Sequence, residues 1–104
     1  MSSHPEPTTG QRGVSVRHEP ERTRYVLTVE GRTVSIADYR EQGDVLVMHH
    51  TETAPAHGGN GYAKVLVTAA LDDVRERGLK VVPSCWYVAQ VIGEQPEYAD
   101  LVAA

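Results

Sequence analysis

VLVMHHTETAPAHGGNGYAKVLVTAALDDVRERGLKVVP, residues 45–83, holds the pattern that decides the fold. It opens with Val45-Leu46-Val47-Met48-His49-His50-Thr51, a strand apolar on both faces and so expected to be central and covered on both sides. A loop from Glu52 to Gly59 follows, and the period then changes to that of a helix. Ala63, Leu66, Val67, Ala70, Leu71 and Val74 share one stripe at i, i+3, i+4, i+7, i+8 and i+11. Gly78 is a good C-terminal stop. Lys80-Val81-Val82 is then a short strand ended by Pro83. A helical crossover between two strands lets them lie parallel.

Upstream the period is two. Val14 and Val16 alternate with polar residues, as do Tyr25, Leu27 and Val29; a tight turn at Gly31-Arg32 leads into Val34 and Ile36. Gln42-Gly43-Asp44 turns the chain into the strand at Val45. Downstream, Ser84 is placed to cap a short helix through Ile92, stopped by Gly93. Pro96 suits the first turn of a last helix, Glu97 to Val102. The expected order is β-β-β-β-α-β-α-α. This is an α/β (α+β) fold, with a mixed, mainly antiparallel sheet of about five strands and helices packed on it.

The chain has 104 residues, 40% of them hydrophobic, enough for one core. Residues 1–13 are rich in Pro, Ser, Thr and Gly and read as a mobile tail; residues 14–104 read as a single domain. His4 in that tail lacks the clustered partners of a metal site, and no metal is expected. A single cysteine, Cys85, rules out an internal disulfide and a Cys-rich zinc module. The net charge of −4 argues against nucleic acid. No apolar run reaches membrane-spanning length, and the N-terminus lacks the apolar stretch of a signal peptide. A cytoplasmic location without a membrane partner is expected, as a monomer or weak dimer.

Chemistry enters at the loop between strand and helix. Gly58, Gly59 and Gly61 let the backbone turn and approach a ligand closely. The following helix leaves its first N–H groups unpaired and partly positive, which suits a phosphate. No Gly-Lys-Ser/Thr follows, so this is not a Walker loop, nor is it the G-x-G-x-x-G of a dinucleotide fold. Taken alone, the glycines serve a phosphate or merely shape the loop.

Three stretches together resemble the compact branch of the GNAT superfamily of acyl-CoA-dependent acyltransferases. They are His50-Thr51-Glu52 leading into Gly59-Asn60-Gly61, then Gly78 to Val88 around Pro83-Ser84-Cys85-Trp86-Tyr87, and Pro96-Glu97-Tyr98-Ala99-Asp100-Leu101. The likeness spans about residues 14–102. It implies acetyl-CoA as cosubstrate, held through its pyrophosphate by the backbone of Gly59, Asn60, Gly61, Tyr62 and Ala63, with the thioester between the fourth and fifth strands. Three departures remove positive charge. Ala56 replaces an opening Gln/Arg, His57-Gly58 replaces a hydrophobic–basic pair, and Glu94-Gln95 stands where relatives carry Arg-His. Weak binding is the expectation.

Cys85, in the first turn of a short helix, is either a small buried hydrophobe or a thiol activated by the helix N-terminus. The resemblance sets a cysteine here close to the acetyl group. His50 and Glu52 share the strand parity of Leu46 and Met48, while His49 faces the other way. They are half-buried or solvated polar residues, or they look into one crevice and take the proton of an amine, as carboxylates on this strand do in the superfamily. Tyr25, Tyr39, Trp86, Tyr87 and Tyr98 are expected to pack in core and rim, since the chain has no Phe. The expected function is transfer of acetyl from acetyl-CoA to an amine whose identity the sequence does not specify. A non-catalytic CoA-binding or protein-interaction module on the same fold is the alternative.

Overall fold

The structure, a computed structural model, describes residues 13–103. The expected tail, including His4, lies outside them except for Gly13. Five strands, β1 (Val14–Glu19), β2 (Arg24–Val29), β3 (Arg32–Gln42), β4 (Val45–Thr53) and β5 (Lys80–Pro83), form one sheet in that order. The first three ladders are antiparallel, and β4 pairs with β5 in parallel. The crossover between them is α1 (Tyr62–Glu76), and α2 (Trp86–Glu94) follows β5. The mixed, mainly antiparallel sheet with packed helices is therefore as expected.

Local chemistry explains the hairpin between β2 and β3. Glu30 and Gly31 have φ of 53° and 82°, so both central residues of the turn are left-handed, as the twist of a two-residue hairpin requires. The turn sits one residue earlier than Gly31-Arg32. Leu66, Val67, Ala70, Leu71 and Val74 of α1 are buried against Tyr25, Leu27, Ala37, Tyr39, Leu46 and Met48 of the sheet. Val88, Val91 and Ile92 of α2 extend the same cluster, with Tyr98 and Leu101 beyond it. Each fully buried Leu contributes about 1.5–3 kcal/mol relative to exposure. Ala63, at the N-terminal end of the stripe, is only half-buried and lines a cleft instead.

Four expectations need correction. β4 is not covered by helices on both faces: Leu46 and Met48 join the helix-facing cluster, whereas Val47 is buried outside it, between Arg40 and Val82. Cys85, not Ser84, is the N-cap residue of α2. That helix runs past Gly93 to Glu94, because an interior glycine costs only about 1 kcal/mol and Pro96 makes the firmer stop. The last helix is a 3-10 turn, Pro96–Leu101. The chain is drawn straight back to the sheet there, with Val102 bridging Val81 and the Ala103 N–H donating to the Val81 carbonyl at 2.9 Å. No helix among the described residues is long and apolar enough to cross a membrane.

Candidate functional site

β4 and β5 pair only as far as Met48 and Pro83, and beyond that the strands part. The Cys85 N–H donates to the Met48 carbonyl at 2.9 Å and fixes the apex of the gap. A cavity of about 430 Å³ opens there, lined by His50, Thr51 and Glu52 from β4 and by Cys85, Trp86 and Tyr87 from the start of α2. A second cavity, of about 320 Å³, lies along Gly58, Gly59, Gly61 and Tyr62. Thr53, Ala63 and Tyr87 line both, so the two form one trough from the glycine loop to the thiol.

The glycine end fits a phosphate. Gly59 and Gly61 have φ of 85° and 77°, a region that favours glycine, and no atom lies within 4 Å of where either Cβ would stand. Gly61 is the N-cap of α1, and no side chain caps that helix, leaving its first N–H groups for whatever occupies the cavity. Asn60 is turned inward on the loop, its Nδ2 donating to the His57 carbonyl at 3.2 Å. Lys64, in the first turn, is ion-paired with Glu94 at 3.7 Å. The Glu94 departure thus engages a cation in the first turn of α1.

At the thiol end the structure alters the expected parity. Asp38 pairs with His50 and Tyr39 with Met48, which leaves His49 as an extra residue in β4. This bulge shifts every later side chain to the opposite face. Thr51, rather than His50 or Glu52, therefore continues the side of Met48 and reaches Cys85, with Oγ1 at 3.5 Å from Sγ. His50 and Glu52 lie across the strand, their Nε2 and Oε1 3.2 Å apart, and still border the cavity. Burial works against ionisation of the Cys85 thiol. The Thr51 hydroxyl, with the N–H groups of Val88, Tyr87 and Thr51, outweighs it and holds the thiol below its ordinary range. No cap hydrogen bond forms at the start of α2, so the helix contribution is that of nearby N–H dipoles.

All the anticipated site residues, Gly59 to Ala63 with His50, Glu52 and Cys85, lie on or beside this trough. Thr51 and Trp86 were not anticipated. A bulge leaves no local sequence signal, but Trp86 had one: it lies two residues before Val88 and therefore off the buried stripe of α2. It is 73% exposed rather than packed. Among the described residues no group of His, Cys, Asp and Glu is arranged to hold a metal.

A profile of the GCN5-related N-acetyl-transferase family matches residues 24–101. Protein NATD1 of Gallus gallus is 34% identical over 86 residues, covering 80% of this chain and 77% of that protein. The Homo sapiens protein of that name is also 34% identical, with 80% and 75% covered. The solution structure of a GCN5-like protein from Staphylococcus aureus superimposes with a TM-score of 0.67 at 20% identity, over 90% of this chain and 92% of that one. The ribosomal-protein-S18-alanine N-acetyltransferase of Escherichia coli has a TM-score of 0.55, also at 20% identity, over 62% and 43%. At that identity the two structures establish the fold, a five-stranded GNAT-like sheet.

Proposed function

Because the chain belongs to the GCN5-related N-acetyltransferase family, we propose that residues 14–104 act as one domain that binds acetyl-CoA along the trough and transfers its acetyl group to an amine. One observation carries this reading: an uncapped helix start behind two left-handed glycines opens into the same trough as the thiol. The backbone of Gly59, Asn60, Gly61, Tyr62 and Ala63 holds the pyrophosphate. Acetyl-CoA supplies an acetyl group activated as a thioester. Thr51 and Cys85 line the parting of β4 and β5 where that thioester lies, and a backbone N–H at the open end of β4 polarises its carbonyl.

His50 or Glu52, directly or through water, accepts the proton that the amine gives up. The amine nitrogen bonds to the carbonyl carbon, the carbon–sulfur bond breaks, and CoA leaves as the thiol once it gains a proton. Direct attack is favoured over an acetyl-Cys85 intermediate, since the nearest side-chain hydrogen-bond partner of the thiol is the Thr51 hydroxyl and not a base. The free thiol of Cys85 suits a reducing compartment, which supports a cytoplasmic location.

Calorimetric titration tests the core of this. Acetyl-CoA is expected to bind with a Kd of about 10–100 μM, about 5.5–7 kcal/mol, at the weaker end because Glu94 engages Lys64. No heat and no melting shift at millimolar ligand would sink the reading. Binding without turnover of any amine would leave a CoA-binding module. A covalent acetyl adduct that forms as fast as turnover and vanishes in Cys85→Ser would make Cys85 the nucleophile.

A further inference from the structure

Among the described residues Trp86 is the largest hydrophobic side chain left in solvent, and it stands at the edge of a cavity, where an aromatic ring with one apolar face and one polar N–H can serve a ligand. It stands next to Cys85 and borders the reaction end of the trough, on the side away from the glycine loop: it lines the cavity of the thiol and not that of Gly59 and Gly61. Tyr87 meets it edge-on at 5.6 Å between ring centroids, which buttresses the indole from one side only. The other wall is Glu52 and His50, whose side chains are 68% and 50% exposed. An amine reaching this mouth arrives as an ammonium ion. It therefore meets an open indole face and one carboxylate, the two groups that attract such a cation.

We propose that Trp86 is the acceptor-recognition residue, and that the acceptor is a lysine side chain carried on an exposed polypeptide segment. The proposal rests on the acetyl-CoA reading above and adds the substrate class to it. A free small amine needs a pocket that buries about 70–90% of its surface, and these half-open walls do not supply one. A lysine brings the remainder of its contact area in the chain attached to it. Its methylene stem lies along the indole while the ammonium reaches past Trp86 towards Glu52 and the parting of the strands.

The chain has one tryptophan, so its emission reports on this mouth directly. With CoA saturating, a capped Gly-Gly-Lys-Gly-Gly peptide is expected to quench and blue-shift that emission saturably, n-butylamine, which has the same stem and ammonium but no chain, to do so only at higher concentration, and a capped pentaglycine to leave it unchanged. With acetyl-CoA, kcat/KM for the peptide should exceed that for n-butylamine by about tenfold, about 1.4 kcal/mol, which the flanking chain packed on the indole adds to the stem and ammonium that both amines share. Trp86→Ala should lose that advantage through KM, and Trp86→Phe should keep most of it. Acetyl-CoA affinity and melting temperature should be equal in all three. Equal kcat/KM for peptide and n-butylamine, or a Trp86→Ala variant that keeps the preference, would overturn the proposal and leave the acetyl-CoA reading intact. Failure of the parent to bind acetyl-CoA would overturn both.

Discussion

The two ends of α1 carry polar groups in opposite states. At its C-terminal end, a cavity of about 390 Å³ is bordered by His18, Tyr25, Asp72 and Asp73, and these groups are paired. Tyr25 donates to Asp73 at 2.6 Å, Tyr98 donates to Asp72 at 2.6 Å, and His18 Nε2 lies 2.6 Å from the Tyr39 hydroxyl. Arg77 adds a contact to Asp73 at 3.3 Å. At the N-terminal end the helix has no side-chain cap and the indole is bare. His50–Glu52 and Lys64–Glu94 also pair at this end, but their side chains stay about half exposed or more and the helix start has no capping side chain. A group whose hydrogen bonds are already made inside the protein holds the fold, whereas one left open is available to a ligand.

Replacing Gly61 with Val breaks the open end and should have the largest effect. The φ of 77° strains a β-branched residue, and its Cβ would enter space that the protein leaves empty. Acetyl-CoA binding should weaken by about 100-fold or more, about 2.7 kcal/mol, with the folded domain retained. Equal affinity in a folded Gly61→Val variant would reduce the loop to a structural turn.

The paired end should answer in stability instead. Tyr25→Phe leaves Asp73 short of a donor and should cost about 1 kcal/mol in thermal unfolding, with acetyl-CoA affinity unchanged. Burial lowers the His18 pKa from its ordinary 6.5, the neighbouring Asp73 opposing that only in part. The unfolded chain therefore takes up this proton before the native one does. Stability is complete above pH 6.5 and falls as the pH drops below it. The Arg-paired carboxylates Glu19 and Asp100, whose pKa values are also lowered, lose their contribution further down, below the ordinary carboxylate range. Melting temperature should thus decline from pH 6.5 towards 5, and His18→Gln should flatten that segment. A parent whose melting temperature is level there would contradict a neutral, half-buried His18.

How legible each end was follows from the distance over which its physics acts. The helix stripe and the glycine loop are local and could be read from residue type and period, whereas the hairpin turn, expected at Gly31-Arg32, lies one residue earlier at Glu30-Gly31. The bulge at His49 belongs to the pairing of two strands, and it moved Thr51 beside Cys85 without any local mark. The cluster of His18, Tyr25, Tyr39 and Asp73 draws on four elements, so it was out of reach until the chain was folded. There the expectation of core and rim packing held for Tyr25 and Tyr39, both nearly fully buried, whereas Trp86 borders a cavity with most of its surface in solvent.

The smallest expected effect concerns the one ion pair that straddles the open end. Lys64 lies in the first turn of α1, where its ammonium would add to the N-terminal field, but Glu94 of α2 holds it at 3.7 Å. Gln90 also donates to Glu94, at 3.2 Å, and an amide at position 94 can accept that bond equally well. Glu94→Gln therefore removes the charge and keeps the shape. Both side chains of the pair are about half exposed, at 49% and 50%, so the pair itself is worth little. A released Lys64 should tighten acetyl-CoA binding by about two- to fivefold, from the ~0.5–1 kcal/mol scale of such exposed pairs. The gain should shrink in high salt, because an exposed charge is screened. Lys64→Gln should abolish it, and melting at the far end of α1 should not respond. An affinity that is unchanged in Glu94→Gln at low salt would mean that Lys64 does not reach the pyrophosphate, and that the backbone of Gly59 to Ala63 holds it alone.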